Sequence, residues 1–309
     1  MIISVRIGLL IRCLRWSSVV PEDGFNVRPP QATIYGETQG RKLLRRLANA
    51  GRFIFSTAHA RAAAAEAGVP GGYVNVLLSE LAQGGWILRL RKGLYALTGS
   101  PSGSLQIHPF AIATRLVEPS AISHWSALSH HGFTEQVPNV ISAFTPAKVV
   151  TPSMRAPCQK PRSVHHAWEI GGVRYQYATV KKEHFFGVEE TWVNELFKVP
   201  ITDKERTVLE TFITPRTFGG IGEALALIEE RLNELDLNRL VRYTVRYGRA
   251  SVAKRLGWAL EMAGASLSVL APLETFPASG VRILDPTRPR RGPSNRRWGI
   301  QENLARSDR

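Results

Sequence analysis

The sequence feature that most constrains the fold is the spacing of small and apolar residues between positions 41 and 97. Ala64 and Gly68 lie four positions apart, so a small side chain can face a neighbouring helix while the glycine takes the positive φ of a tight turn. The residues that follow place apolar side chains at helical spacing: Val69, Val74, Leu77, Leu78 and Leu81. This pattern predicts two helices that cross steeply around one short turn.

The flanking segments extend this pair of helices into a larger motif. Three helices are predicted, over Arg41–Ala50, Ser56–Ala67 and Gly72–Gln83. A two-stranded ribbon is predicted after them, over Trp86–Arg91 and Leu94–Thr98, with its turn at Lys92-Gly93. Three helices followed by such a ribbon predict a winged helix-turn-helix.

Polar and basic residues on this predicted module are suited to duplex DNA. The amide of Asn75 can form paired hydrogen bonds with adenine, Ser79 can contact bases or phosphates, and Tyr73 can reach a phosphate. The start of such a helix lies in the major groove, and a basic ribbon meets the sugar–phosphate backbone. We therefore predict these DNA-binding residues: Gly72, Tyr73, Asn75, Ser79, Arg89, Arg91, Lys92, Arg41 and Arg45. The alternative is a small structural domain with a solvated basic rim; DNA binding is favoured because turn, ribbon and charge agree.

The distribution of charge also favours a polyanionic partner. The chain has a formal net charge of +15 and a pI near 10.4. Nine Lys and Arg against three Glu lie in residues 31–104, and eight Arg against three acidic residues lie in residues 281–309. Two concentrated basic regions are typical of nucleic-acid-binding proteins.

Length and composition predict an α+β protein with two folded parts. With 309 residues, 44% of them hydrophobic and 21% charged, the chain can bury two cores. The predicted divisions are a leader without a core (1–32), the winged helix-turn-helix (33–98), a linker (99–104), a larger mixed α+β domain (105–287) and a basic Arg/Pro-rich tail (288–309). An alternative for the leader is a start codon assigned too far upstream. Cys13 and Cys158 are too few for a disulfide framework, and no segment is long enough to span a membrane, so we expect a cytoplasmic protein.

The larger domain is predicted to begin with mixed elements and to end in a helical bundle. Its expected helices and strands are helix His108–Val117, helix Ser123–His131, strand Val140–Phe144, strand Val173–Val180, helices Gly222–Leu235, Leu237–Tyr247 and Ser251–Ala263, and strand Ile283–Leu284. Residues 145–162 are expected to form an exposed loop. Thr202 and Glu205 have the spacing of a capping box that opens a helix through Thr211.

Three groups of residues in this domain suggest chemistry, and each has a structural alternative. His124, His130 and His131 could bind zinc, but no Cys or carboxylate lies beside them at ligand spacing, and packed histidines are favoured. The glycines of residues 219–222 could hold a phosphate at a helix N-terminus, although a tight turn is the more common use. Central carboxylates could serve a metal-dependent nuclease: Asp203, Glu205 and Glu210. We expect no catalytic residue, metal or cofactor, and therefore no enzyme.

The Arg-rich tail admits two interpretations. Its arginines alternate with Pro and Gly, so an extended chain could follow an anionic groove while Trp298 stacks on a base. In that interpretation Trp298 could also dock on the folded domain. The alternative is a solvated tail whose arginines contact acidic surface elsewhere on the protein.

Residues 122–138, ISHWSALSHHGFTEQVP, resemble the signature segment of AbiEi-type antitoxins, the antitoxins of type IV toxin–antitoxin or abortive-infection systems. The winged module, residues 201–210 and residues 284–298 are similar to the same family, so the resemblance covers about residues 33–300. One departure is Gly71-Gly72 at the start of the third helix, which is poor helix-forming sequence, and we expect this turn to order on DNA.

The resemblance implies a repressor that is also an antitoxin. The winged domain would bind inverted repeats upstream of its own operon, through the third helix and the ribbon. The larger domain would counteract a nucleotidyltransferase-like toxin without a stable complex. An alternative from the residues alone is a plain winged-helix regulator whose second domain senses a ligand or a partner.

Overall fold

The computed structural model describes residues 38–99, 107–149 and 167–304. The expectations for residues 1–32, for most of the 99–104 linker, for most of the 145–162 loop and for the last five residues of the tail lie outside the described residues. The described residues belong to one compact unit, which is α+β as predicted. No helix in the described ranges is long and apolar enough to cross a membrane.

The first part has the winged helix-turn-helix topology. Its elements are α1 (Gln39–Asn49), β1 (Ile54–Ser56), α2 (Thr57–Glu66), α3 (Val74–Gln83), β2 (Ile87–Arg91) and β3 (Leu94–Leu97). The strands form an antiparallel sheet in the order β1-β3-β2. The three helices and two ribbon strands lie close to their predicted positions, whereas β1 was not predicted because only three residues form it.

The turn between α2 and α3 has the predicted chemistry. Gly68 has a φ of +71°, a conformation that L side chains rarely adopt. Ala64 is fully buried, and the apolar residues of the predicted stripe are buried too: Val69, Val74, Leu77, Leu78 and Leu81. A single 3-10 turn, Gly71–Tyr73, precedes α3, so the regular helix begins two residues later than expected.

The second part is built on a six-stranded mixed sheet. Its elements in chain order are α4 (Pro109–Leu116), β4 (Ala121–Ile122), α5 (His124–His130), β5 (Val140–Thr145), β6 (Ala167–Ile170), β7 (Val173–Thr179), β8 (Val188–Trp192) and β9 (Lys198–Thr202). The strand order is β6-β7-β5-β4-β9-β8. Strands β5 and β7 run parallel in register Val140↔Arg174 to Thr145↔Thr179. Helix α4 packs with the sheet residues Ile141, Ala143 and Val199 in one apolar cluster.

Five helices form the remaining core: α6 (Lys204–Ile213), α7 (Gly222–Arg231), α8 (Leu237–Tyr247), α9 (Ala250–Met262) and α10 (Leu267–Glu274). The predicted cap of α6 was wrong. Asp203, not Thr202, caps this helix by accepting the backbone N–H of Arg206 at 2.7 Å. Thr202 belongs to β9, and its hydroxyl lies within hydrogen-bond distance of the Thr207 hydroxyl, at 2.8 Å. It therefore does not cap the helix.

A small three-stranded sheet closes the described chain. Strands β10 (Arg282–Ile283), β11 (Ser294–Asn295) and β12 (Ile300–Gln301) pair in the order β10-β12-β11. Trp298 lies between β11 and β12 and is fully buried in the core of the helical layer. Much of the Arg-rich segment is therefore part of the fold.

The winged module packs directly on the second part. Leu90, Leu94 and Ala96 of the ribbon belong to the same buried cluster as Phe110 of α4. Phe53, which precedes β1, meets Phe197 of the β8–β9 connection edge to face, with ring centroids 5.8 Å apart. One face of the ribbon is therefore covered by the larger part of the protein.

Candidate nucleic-acid interface

Helix α3 presents a continuous exposed face opposite its buried stripe. Gly72, Asn75 and Ser79 are exposed, and the large side chains of Tyr73 and Val76 are 37% and 49% exposed. With 3.6 residues per turn, Asn75 and Ser79 lie on one flank of this face and Tyr73 on the other. The predicted recognition residues are thus accessible together on α3 and on the 3-10 turn that precedes it.

Tyr73 has a partner that the sequence did not suggest. Its hydroxyl donates to the carboxylate of Glu80, with oxygen–oxygen distances of 3.0 and 3.3 Å. This hydrogen bond is the main cause that raises the pKa of Tyr73. The pair is two helical turns apart, and the seven-residue spacing was the signal that could have revealed Glu80.

The three basic residues of the ribbon remain exposed although its other face is covered. Arg89, Arg91 and Lys92 are all exposed, and among the described residues none of them forms an ion pair with a carboxylate. A register shift separates Arg89 from Arg91 in the pairing with β3. The carbonyl of Gly93 accepts the backbone N–H of Thr57 at 3.0 Å, which fixes the ribbon turn against the start of α2.

The arginines of α1 form a separate group. The guanidinium of Arg41 lies over the ring of Trp86, 5.6 Å from its centroid. Arg41 and Arg45 line a shallow cleft of about 260 Å³ with Leu44, Trp86 and Leu97, at the end of the ribbon away from its Lys92-Gly93 turn. The predicted DNA-binding residues therefore fall into three groups: the face of α3, the ribbon turn and this α1 cleft.

Helix α3 carries no positive charge of its own. No Lys or Arg occurs in the sequence between Arg61 and Arg89, so the exposed face of α3 carries Glu80 as its only charged residue. The neighbouring helix α2 has cations close to it. The pKa of His59 is lowered by partial burial and by the charges of Arg52 and Arg115, the latter on α4. Attraction for a polyanion would therefore come from other elements, such as the ribbon, and not from α3 itself.

The central carboxylates each have a structural partner. Asp203 also accepts the hydroxyl of Tyr243 at 2.7 Å. Glu205 accepts the backbone N–H of Asp236 at 2.8 Å, and Glu210 pairs with the buried guanidinium of Arg206 at 3.4 Å. Within the described ranges, no three His, Cys, Asp or Glu side chains converge as metal ligands would.

The histidines are packed into the fold. The ring of His124 stacks on Phe218, and its Nδ1 lies 2.7 Å from the hydroxyl of Ser123. His131 Nε2 lies 2.7 Å from the carbonyl of Thr202. Partial burial and the neighbouring His131 lower the pKa of His130.

The glycine cluster of residues 219–222 forms a tight turn, and a backbone N–H of this turn donates a hydrogen bond to a carboxylate. Gly219 and Gly220 have positive φ angles of +78° and +138°. The backbone N–H of Ile221 donates to Asp285 Oδ2 at 3.4 Å, and a Cβ on Gly220 would lie 2.7 Å from the same oxygen. A carboxylate of the chain thus occupies the place proposed for a phosphate.

The Arg-rich segment is partly folded onto the protein: Trp298 is buried, so the expectation of a solvated tail was wrong there, whereas Arg297 contacts acidic residues as that interpretation expected. Trp298 Nε1 donates to Glu261 at 2.6 Å, and its ring fills the space beside Gly257, where a Cβ would overlap it. Arg297 pairs with Glu261 and, at 2.8 Å, with Glu274. Trp298 is therefore not accessible for stacking on a base.

Comparison with known proteins identifies a solved structure with a similar fold. No protein-family model matches the chain, and no curated protein matches it. The fold is similar to that in the crystal structure of the RV2827C protein from Mycobacterium tuberculosis, with a TM-score of 0.59. The match covers 85% of this chain and 91% of that chain at 16% sequence identity. At this identity, the likeness concerns the fold alone.

Proposed function

We propose that this protein is a DNA-binding antitoxin of a type IV toxin–antitoxin system that acts in the cytoplasm. Its winged helix-turn-helix binds inverted repeats in the DNA upstream of its own operon and represses transcription. Its larger domain counteracts a nucleotidyltransferase-like toxin without forming a stable complex. No catalytic residue, metal or cofactor is assigned to it.

One observation carries the DNA-binding part of the proposal. The winged module leaves the polar face of α3 and the three cations of the ribbon turn exposed, although it packs closely on the second part. Asn75 and Ser79 offer hydrogen-bonding groups to base edges. Arg89, Arg91 and Lys92 offer charges to phosphates. This division of roles between helix and ribbon is typical of winged-helix DNA binding.

The antitoxin part is supported by the resemblance of residues 122–138 to AbiEi-type antitoxins. In the structure, this segment spans the end of β4, all of α5 and the loop before β5. Its central helix contacts the sheet through Ser126, whose hydroxyl accepts the backbone N–H of Ser142 at 2.9 Å. The segment therefore joins the mixed sheet to the helical layer.

Two measurements on the full-length protein test this function. A gel-shift assay with the DNA upstream of its own gene is expected to show binding that weakens steeply with salt. Co-expression with an adjoining nucleotidyltransferase-like gene is expected to restore growth that the neighbour alone inhibits. Absence of DNA binding would contradict the repressor role, and absence of growth rescue would contradict the antitoxin role.

A second candidate is a plain winged-helix regulator that senses a ligand. A cleft of about 440 Å³ lies between the ribbon and the second part, with these residues among its lining: Ile87, Leu88, Ile107, Ile112, Val173 and Tyr175. A mainly apolar cleft between two folded parts is a common place for a small ligand. An adjoining toxin gene that the protein neutralises favours the antitoxin, and DNA binding without such a neighbour favours the regulator.

A further inference from the structure

The exposed face of α3 has an unusual charge for a helix proposed to enter a DNA groove. It contains no Lys or Arg, and its one charged side chain is the carboxylate of Glu80. This carboxylate is exposed and accepts a hydrogen bond from Tyr73. A negative charge on this face opposes binding to any stretch of phosphate backbone.

The position of Glu80 on the helix determines what it can contact. At 100° per residue, Tyr73 and Glu80 lie on one flank of the exposed face, Asn75 and Ser79 on the other, and Val76 and the nearby Gln83 between them. In a helix seated in the major groove, central residues face the bases, and side chains on the flanks can reach both base edges and the groove walls. Glu80 therefore lies where base edges and the backbone of one strand are both within reach of a flexible side chain.

The hydrogen-bonding chemistry of the bases limits how this carboxylate can be satisfied. A carboxylate accepts hydrogen bonds and donates none, and cytosine N4 presents an amino donor in the major groove. Guanine is most often read by Arg or Lys, which this helix lacks. Asn75 suits adenine, and the exposed methyl groups of Val76 suit the methyl group of thymine.

We propose that Glu80 determines the sequence selectivity of the winged module, with Tyr73 as its positioning residue. Glu80 penalises contact with unmatched duplex DNA by repelling phosphates. In a matched site, it accepts the amino hydrogen of a cytosine. Tyr73 restricts the carboxylate to one region of the helix flank through its hydroxyl. This inference rests on the proposed function, because it requires a duplex in contact with α3.

The test compares the full-length wild-type protein with Glu80→Gln and Tyr73→Phe. Each protein binds two duplexes of equal length at the same salt concentration, the upstream DNA of its own gene and a shuffled sequence. Glu80→Gln is expected to bind the shuffled duplex more tightly and to lower the ratio of the two affinities about tenfold. Tyr73→Phe is expected to lower this ratio less, because the carboxylate remains but is no longer held.

Selection from a random duplex library provides the second readout. The wild type is expected to enrich a cytosine at one position of the site, and Glu80→Gln is expected to lose that preference alone. Glu66→Gln is the control for net charge, because it removes an equal charge from an exposed position on α2, where Glu66 pairs with the exposed Arg46 at 3.1 Å. Both exposed substitutions are expected to leave the thermal unfolding temperature unchanged.

The outcomes separate this inference from the proposed function. If Glu80→Gln retains wild-type affinity for the shuffled duplex and enriches the same sequences, Glu80 does not set selectivity, although the module binds DNA. If Glu66→Gln strengthens binding to the shuffled duplex as much as Glu80→Gln does, the effect is one of net charge, and the inference is again overturned. If the wild type binds neither duplex, the proposed function fails and this inference with it.

Discussion

Asp203 is a buried carboxylate with a role in folding at the start of α6. It accepts the backbone N–H of Arg206 and the hydroxyl of Tyr243. Burial is the largest influence on its pKa and raises it above the ordinary value of 3.8, although these hydrogen bonds act in the opposite direction. The ionised group is thus less stable in the folded protein than its hydrogen bonds alone would make it.

Substitution of Asp203 is expected to separate its capping role from its charge. Because the folded state holds the proton more tightly, the free energy of unfolding falls as pH rises from 3.8 to the higher folded-state pKa. Asp203→Asn keeps a capping oxygen and removes the charge, so its stability relative to the wild type is expected to increase across this acid range. Asp203→Ala loses the cap and is expected to be less stable by about 0.5–2 kcal/mol. Urea unfolding over a pH series measures the stability of both variants. An Asp203→Ala variant as stable as the wild type would contradict the capping role.

Trp298 stabilises the last described segment of the chain by filling a space on α9 that only glycine leaves open. Removing its ring by Trp298→Ala is expected to lower the free energy of unfolding by about 3–5 kcal/mol, because a large cavity forms and Glu261 loses a donor. Arg296→Ala is the control, since Arg296 is exposed and adjacent in sequence to the Arg297 ion pairs. Denaturant unfolding of both variants measures the effect. Equal stability of the two would mean that the tail does not contribute to the fold.

At the scale of elements, regular spacing predicted the helices better than the short strands. Helix Leu237–Tyr247 has the predicted bounds because three arginines and a buried apolar stripe alternate with clear helical periodicity. Strands β4 and β11 have two residues each, too few for a periodic pattern, and were not predicted. Burial of Trp298 could not be predicted because the surrounding arginines suggested an exposed segment. In the structure, two of these arginines donate hydrogen bonds to nearby side chains, Arg290 to Gln301 and Arg297 to Glu274.

The candidate interface was predictable where it depended on local sequence. The exposed residues of α3 follow from the position of its buried stripe, and the exposed ribbon cations follow from their place at a turn. Two features depended on tertiary contacts and could not be predicted. These are the packing of the ribbon on α4 and the position of Arg41 over Trp86.

The 3-10 turn before α3 is expected to accept a better helix former. Neither Gly71 nor Gly72 has a positive φ, and a Cβ at either position would meet no atom within 4 Å. Gly72→Ala is therefore expected to raise the free energy of unfolding by about 0.4–1 kcal/mol, mainly by restricting the unfolded chain. Gly68→Ala is the contrasting variant and is expected to destabilise, because its φ of +71° strains any side chain. Thermal unfolding of the two variants checks this difference, and a destabilised Gly72→Ala would show that the turn requires both glycines.

At the scale of the whole molecule, the ribbon has two different faces. Its apolar face, with Leu90 and Leu94, is part of the core shared with the second part. Its basic residues remain at the surface. In the proposed complex, a ribbon held in this way would lose little conformational freedom on binding a duplex, so most of its electrostatic attraction would remain available for binding. The larger part of the protein therefore supports the ribbon as well as carrying the proposed antitoxin activity.

The salt dependence of DNA binding tests the central claim most directly. Replacing Arg89, Arg91 and Lys92 together by Ala is compared with replacing three exposed cations of the second part, Arg174, Lys198 and Arg296. The first variant is expected to weaken binding to every duplex and to flatten the plot of log affinity against log salt by about 0.9 for each lost phosphate contact. The second variant is expected to retain a slope close to that of the wild type. Equal slopes for the ribbon variant and the wild type would show that the ribbon does not contact DNA.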